Sequence, residues 1–355
     1  MEYTPEQLRE QRKIQNSNMQ NEYDKCNDYV SKLMYIYRTL ITSQFEFLKY
    51  CKKSDIFGLE YLEKLVSELK SKENLNDLEF IKFIEKRLVK PLGAGHVYIK
   101  PVEEIAPSEV IALRERYYKE NNIENIEVTY FEDTIIIKIK SFSRTHYKKD
   151  EEKFNEISEY MSKNECNNVI FDIRGNTGGT DEYFEYFSIF SNMPIQITDQ
   201  FRNVFTNENQ RVTWTAMNGN SNAAEFNRYL LVDKDVFSTA DSFAMMCKRN
   251  AFATIIGEPT RGEGYGATPF NLQIVNQNYE YPVEKQGYQF QYRGANLVFP
   301  IEAPINEIGE IDYENYYRTI PDIICSSEEA LQVALNQIEL KKQQENSFNS
   351  PKNGF

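Results

Sequence analysis

Few residues in this chain are suited to chemistry, and they sit in recognisable places. The stretch "YLLVDKDVFSTADSFAMMCKRN", residues 229–250, reads as a buried strand, a tight turn and a helix, with Ser238 where turn and helix meet. A serine there has its hydroxyl near unpaired backbone N–H groups and the positive end of the helix dipole. Such groups can hold an oxyanion during acyl transfer. A second donor has to come from another glycine-rich backbone, and "RGNTGG" at 174–179 supplies one at the end of a neighbouring strand. Ser238 also has a purely structural reading as a helix N-cap, with Asp241 three residues on completing something like a capping box. The two readings are compatible.

A serine hydroxyl needs a base within reach to attack a carbonyl at neutral pH. Only two histidines exist, His96 and His146. His146, in "SFSRTHYKKD", follows a strand among charged residues and reads as structural. His96, in "PLGAGHVYIKP", is flanked by glycines at a domain junction, where clefts form. A neutral imidazole suits the role of base, and a carboxylate beside it would fix its tautomer. Other patterns fail on context. "GEGYG" (262–266) leads into strand-like sequence rather than a helix, and "GNSNA" (219–223) has no strand before it. Two distant histidines make a zinc site a poor fit, and no cofactor is expected.

The elements that must position these groups show in the periodicity. Residues 1–95 read as a helical N-terminal domain, with apolar residues three and four apart in "YVSKLMYIYRTLITSQFEFLKYC" and "LEYLEKLVSELK". "NLNDLEFIKFIEKRLV" follows, capped at Asn76 or Asp77 and ended by Pro91 and Gly93. Residues 96–125 form a connecting segment that carries the His96 loop. From 126 the period changes to strand, helix, strand, helix, which implies βαβ units, a parallel sheet buried on both faces and an α/β core over 126–342. Residues 267–301 read as added antiparallel strands, "SSEEALQVALNQIELKK" as a closing helix, and 343–355 as a disordered polar tail.

Composition narrows the partners. The chain has 355 residues, 41% hydrophobic and 27% charged, as ordinary soluble proteins do. Its net charge of −13 repels phosphate backbones and anionic lipid, so neither nucleic acid nor a membrane surface is an expected partner. The five cysteines form no C-x-x-C pair, which gives no disulfide framework. No signal peptide or membrane span is visible, so the expected location is cytoplasmic, or exported if a leader has been removed. Oligomeric state, including a homo-oligomer, stays open.

Four segments in order, "NNVIFDIRGNTGG", "YLLVDKDVFSTADSFA", "ATIIGEPTRGEGYG" and "IPDI", resemble the tail-specific (C-terminal processing) serine peptidases and their relatives, the tricorn core peptidases. The likeness runs over residues 126–325 together with the His96 loop. It implies a clpP/crotonase-like core and hydrolysis of peptide bonds in peptides or unfolded segments, by endo- or carboxypeptidase action. Processing peptidases use a lysine in the segment "GEPTRGEG", but the corresponding position here is Glu263, so a Ser–Lys dyad is not available. The tricorn-like branch uses a histidine from an upstream loop, which "GAGHVYI" matches at His96, with Ala94 and Val97 as departures. Its third member is a glutamate before the late "PD", which carries over to Glu314 in "YENYYRTIPDI", with Glu310 and Asp312 as alternates. The oxyanion donors carry over to the N–H groups of Thr239 and of Gly178 or Gly179. Asp172, Arg174 and Asn176 are expected to hold the glycine turn. Residues 97–125 are too short for the PDZ domain of processing peptidases. A non-catalytic peptide or hydrophobic-ligand module on the same fold is the alternative, and a crotonase-type acyl-CoA enzyme a weaker third.

Overall fold

The computed structural model describes residues 2–103, 112, 115–116, 119–120, 124–221, 223, 225–264, 270–276, 279–280 and 291–349. The first half of the chain forms β1 (Glu2–Tyr3), α1 (Pro5–Tyr23), α2 (Tyr29–Tyr50), α3 (Leu59–Lys70), α4 (Asp77–Ile84), β2 (Tyr98–Glu103), β3 (Ile126–Phe131), β4 (Thr134–Ile139), α5 (Tyr147–Lys163) and β5 (Asn168–Asp172). The second half forms β6 (Ile195–Asn203), β7 (Glu208–Met217), β8 (Asn227–Val232), α6 (Thr239–Arg249), β9 (Thr254–Gly257), β10 (Phe270–Val275), β11 (Tyr279–Glu280), β12 (Gln291–Phe299), β13 (Glu302–Pro304), α7 (Tyr313–Tyr316), β14 (Ile323–Ile324) and α8 (Ala330–Asn349). Packing divides the chain into one unit of residues 1–113, 198–213 and 265–317 and another of 114–197, 214–264 and 318–355.

The first unit begins with the expected helices. Side-chain oxygens cap three of them: Thr4 in a capping box with Gln7, Asp28 at α2, and Asn76 rather than Asp77 at α4. A π turn, Glu85–Val89, prolongs α4, and Gly93 at φ 70° ends the run in the left-handed conformation that suits glycine. Leu33, Ile36 and Leu40 of α2 are fully buried with Phe80 and Ile84 of α4, and share a core with Leu272, Leu297 and Phe299 of β10 and β12. These strands belong to an antiparallel sheet in which β12 is flanked by β10 and β2; a second sheet runs β1–β7–β6–β13. Helix α1 buries only Leu8 and Tyr23. It is held instead by polar ties to strand edges. Gln20 accepts the Gln273 N–H at 2.8 Å, Asn16 accepts that of Asn271 at 3.1 Å, and Arg12 pairs with the buried Glu302 at 2.6 Å. The Gln20 and Asn16 ties occupy the outer edge of β10, which would otherwise be open to strand pairing, and the Arg12 pair lies on β13.

The second unit is the α/β core. Its six-stranded sheet runs β14–β9–β8–β5–β4–β3, with β3–β4 antiparallel and the other pairs parallel. All five residues of β5 are buried, as expected of a strand covered on both faces. Val169, Phe171, Leu230 and Ile255 face Phe154 and Ile157 of α5 and Phe243 of α6 on one side. Ile170, Leu231 and Ile256 face Ala330, Ala334 and Ile338 of α8 on the other.

Three features differ from the sequence pattern. Residues 198–213 and 265–317 pack with the N-terminal unit rather than within one contiguous core. "DEYFEYFSIF" (Asp181–Phe190) is a 3-10 helix, with Tyr183, Phe184, Phe187 and Phe190 buried. Helix α8 continues through 343–349, a stretch expected to be tail. Residues 350–355, most of the 97–125 connecting segment and parts of 267–301 lie outside the described residues.

Candidate active site

Strand β5 ends in the glycine turn, and three polar side chains shape it. Arg174 holds both oxygens of Asp172 with one guanidinium edge, Nε at 2.8 Å and Nη2 at 2.6 Å, and its Nη1 donates to the Ser327 carbonyl. Asn176 is fully buried; its Nδ2 donates to the Ile139 carbonyl at 3.1 Å, and its backbone carbonyl accepts the Phe237 N–H at 3.1 Å. Its Oδ1 accepts the Gly178 N–H at 2.8 Å. Gly178 is buried and Gly179 exposed. Both need to be glycine. A Cβ on Gly178, at φ 94°, would stand 2.8 Å from the Thr239 nitrogen and 3.0 Å from the Ser238 Cβ, and one on Gly179 would stand 2.1 Å from the Phe142 carbonyl oxygen. These contacts put Gly178 directly against the Ser238–Thr239 peptide. The Gly179 carbonyl accepts the Thr239 hydroxyl at 3.1 Å.

Ser238 follows β8 through a turn closed by the Val236 N–H on the Asp233 carbonyl at 3.1 Å. Its backbone is at φ 56°, ψ −127°. The Ala240 N–H donates to the Phe237 carbonyl at 3.2 Å, so Ser238 is the first central residue of a type II′ turn, a position that favours glycine. A side chain there costs about 1–3 kcal/mol of backbone strain. Although Ser238 occupies the N-cap position of α6, its side chain makes no capping hydrogen bond. This corrects the capping expectation. A capping serine has β-region backbone, and the left-handed turn aims the hydroxyl elsewhere. The Ser238 N–H donates to the Gly262 carbonyl at 3.1 Å.

Asp241 does not complete a capping box. It is fully buried, and accepts the Thr260 hydroxyl at 2.6 Å and the N–H groups of Gly264 and Thr319, each at 3.1 Å. Burial pushes its carboxyl above the usual range, against those donors. Ser242 donates its hydroxyl to the Gly264 carbonyl at 2.6 Å. Glu263, at the lysine position of the processing peptidases, is buried with φ 62°. Motif spacing led to Glu263 but not to this clamp, because an acid three residues after a serine has the same local pattern as a capping box.

The other candidates lie in the first unit. His96 is half-buried in a turn between the π-extended α4 and β2, closed by the Val97 N–H on the Ala94 carbonyl at 3.2 Å. Ala94 and Val97, the departures from the family loop, are both buried in that unit's core, so they anchor the turn. Glu314 is exposed on the first turn of α7. Its neighbour Tyr313 is buried and stacks on Tyr50 at 5.7 Å between ring centroids, with Phe47 and Tyr317 around it. Glu310 is exposed in a hairpin tip closed by the Ile305–Ile311 bridge, and Asp312 is half-buried. Within the second unit, then, Ser238, Thr239, Gly178 and Gly179 meet; His96 and Glu314 belong to the first. His146 is buried rather than among solvated charges, and burial together with Lys149 lowers its pKa. Among the described residues no cluster of three or more His, Cys, Asp or Glu is arranged to hold a metal, and no helix is long and apolar enough to cross a membrane.

Residues 133–310 match the model of peptidase family S41. No curated protein matches the chain. Among solved structures, a lipoprotein from Streptococcus agalactiae is similar in fold, with a TM-score of 0.51 and 16% identity over 79% of this chain and 89% of that one. A putative peptidase from Parabacteroides merdae has a TM-score of 0.45 and 17% identity over 75% and 82% of the two chains. A photosystem II D1 C-terminal processing protease has a TM-score of 0.38 and 14% identity over 58% and 49%.

Proposed function

The chain belongs to peptidase family S41, and on that premise we propose that it is a serine peptidase that cleaves peptides or unfolded protein segments through an acyl-enzyme on Ser238. The observation that carries this reading is the backbone of Ser238, a non-glycine residue in a turn position that favours glycine, beside two obligatory glycines. Strain of this kind persists where function requires a side chain to be presented from a fixed point.

In this mechanism the Ser238 Oγ attacks the scissile carbonyl while the His96 imidazole takes its proton. The tetrahedral oxyanion is held by the N–H groups of Thr239 and Gly179. Gly179 is preferred to Gly178, whose N–H is already donated to Asn176. Collapse breaks the C–N bond, and the leaving amine takes the proton from the imidazolium. Water then attacks the acyl-enzyme, gives its proton to His96 and releases the acid as Ser238 regains its hydrogen. Glu314 orients the imidazole and stabilises its charged form. No cofactor takes part.

The test is labelling with a serine-reactive fluorophosphonate, followed by mapping of the modified peptide. Modification at Ser238, lost together with peptide cleavage in Ser238→Ala, supports the proposal. Modification at Ser242 refutes Ser238 as the nucleophile, and no modification in the wild type refutes the acyl-enzyme reading and favours a non-catalytic binding module.

A further inference from the structure

Resting on the reading of Ser238 as nucleophile, we propose that Asp241 is a positioning residue, which fastens the 260–264 loop to the first turn of α6 and so holds Ser238 in its left-handed conformation. Asp241 occupies the helix position from which a capping-box carboxylate reaches back to the N-cap N–H. Here that N–H, on Ser238, donates instead to the Gly262 carbonyl. Gly262 lies in a loop with two consecutive residues of positive φ, Gly262 at 104° and Glu263 at 62°. Glycine adopts positive φ freely, but a non-glycine residue such as Glu263 keeps it only where its surroundings enforce it.

Asp241 supplies the enforcement on both sides of that pair. One oxygen accepts from Thr260 and Thr319, the other from the Gly264 N–H. The loop is pressed so closely on the helix that a Cβ on Gly264 would stand 2.3 Å from the Ser242 nitrogen. Ser242 adds one further tie, to the Gly264 carbonyl. Burying a carboxylate is unfavourable unless its oxygens are satisfied. All the hydrogen bonds described for Asp241 go to the polypeptide that carries Gly262, or to Thr319 beside it. An apolar side chain could fill the same volume but could not gather three donors from two separate segments. Asp241 therefore acts on the nucleophile through the Gly262 carbonyl and not by touching substrate.

The test uses the full-length protein and two readouts. The first is the rate of fluorophosphonate modification of Ser238. Asp241→Asn keeps the shape but sets an amide N–H₂ against the Gly264 N–H, and Thr260→Val removes one tie; each is expected to slow labelling by about tenfold or more, as misplacement of a nucleophile does. Thr260→Ser retains the hydroxyl and should label within about twofold of wild type. The second readout is independent of catalysis. Ser238→Gly should unfold at higher urea than Ser238→Ala, because only alanine is strained there, and the gap should close when Asp241→Asn is added, because the turn can then relax. Wild-type labelling rates in both Asp241→Asn and Thr260→Val, or an unchanged gap, overturn the proposal. Where Asp241→Asn does not fold, the Thr260→Val and Thr260→Ser pair decides through both readouts. A wild type that never labels refutes the acyl-enzyme reading alone, and the urea gap still decides the role of Asp241.

Discussion

Replacing Ser238 by glycine should stabilise the protein relative to replacing it by alanine, the reverse of what the same exchange does inside a helix. At φ 56°, ψ −127° an alanine keeps the backbone strain of the serine, about 1–3 kcal/mol, while glycine adopts the conformation freely. Glycine also enlarges the conformational freedom of the unfolded chain, which costs about 0.4–1 kcal/mol. The difference favours glycine by about 1–2 kcal/mol. With a urea slope of about 3 kcal/mol/M, the midpoint of Ser238→Gly should lie about 0.3–0.7 M above that of Ser238→Ala. Neither variant has the proposed nucleophile, so autolysis through Ser238 does not distort the comparison. Ala244, in the interior of α6, is the control. There, Ala244→Gly should lower stability by about 1 kcal/mol or more. A Ser238→Gly midpoint at or below that of Ser238→Ala would refute the strained turn, and with it the observation on which the proposed function rests.

Three further outcomes are expected. Burial lifts the Asp150 carboxyl to about 6, although it accepts the Tyr183 hydroxyl and the Asn125 amide. Because the native state then holds this proton more tightly than the unfolded chain, stability falls as pH rises from about 4 to about 6, by up to about 3 kcal/mol. The urea midpoint of Asp150→Asn, compared with wild type, should therefore gain with rising pH; a difference that stays constant between pH of about 4.5 and 7.5 contradicts it. Arg12→Met should cost about 3–5 kcal/mol by leaving Glu302 buried without its cation, and adding Glu302→Gln should recover part of it. A loss in Arg12→Met of less than about 1 kcal/mol, read from urea melts, would show that this pair does not hold α1 in place. His96→Ala should lower kcat by about 10³-fold or more with little change in KM, and Glu314→Gln should lower kcat by at least about 10²-fold. If Glu314→Gln is near wild type while Glu310→Gln or Asp312→Asn is not, the third role moves to that residue.

Much of the molecule can be read from local pattern. The period of three and four in "YVSKLMYIYRTLITSQFEFLKYC" is that of α2, and "VIF" and "YLLV" are continuous apolar runs because both faces of β5 and β8 are covered. The strand, turn and helix around Ser238 and the glycine turn after β5 follow from the same signals. By contrast, the sequence pattern singles out no element at 195–217, where β6 and β7 lie, and local signals do not assign 265–317 to a unit. Membership of a unit depends on contacts between residues far apart in the chain, which no short window contains.

The candidate site divides along the same line. Residue types and their order along the chain point to Ser238, His96 and the glycine turn, because a nucleophile, a base and side-chain-free donors are each restricted to a few residue types, whereas Glu314 comes only from the family resemblance, with Glu310 and Asp312 as alternates. Which of those groups are free to act is settled by partners elsewhere. "STAD" is compatible with a capping box and with a strained nucleophile turn alike. Thr260, 19 residues from Asp241, and Thr319, 78 residues from it, draw the carboxylate away from the cap, while the Gly262 carbonyl takes the Ser238 N–H. Likewise both glycines look equivalent as oxyanion donors until Asn176 takes the N–H of Gly178. A hydrogen-bonding group can be listed from sequence, but whether it is already satisfied depends on which distant atoms the fold brings to it.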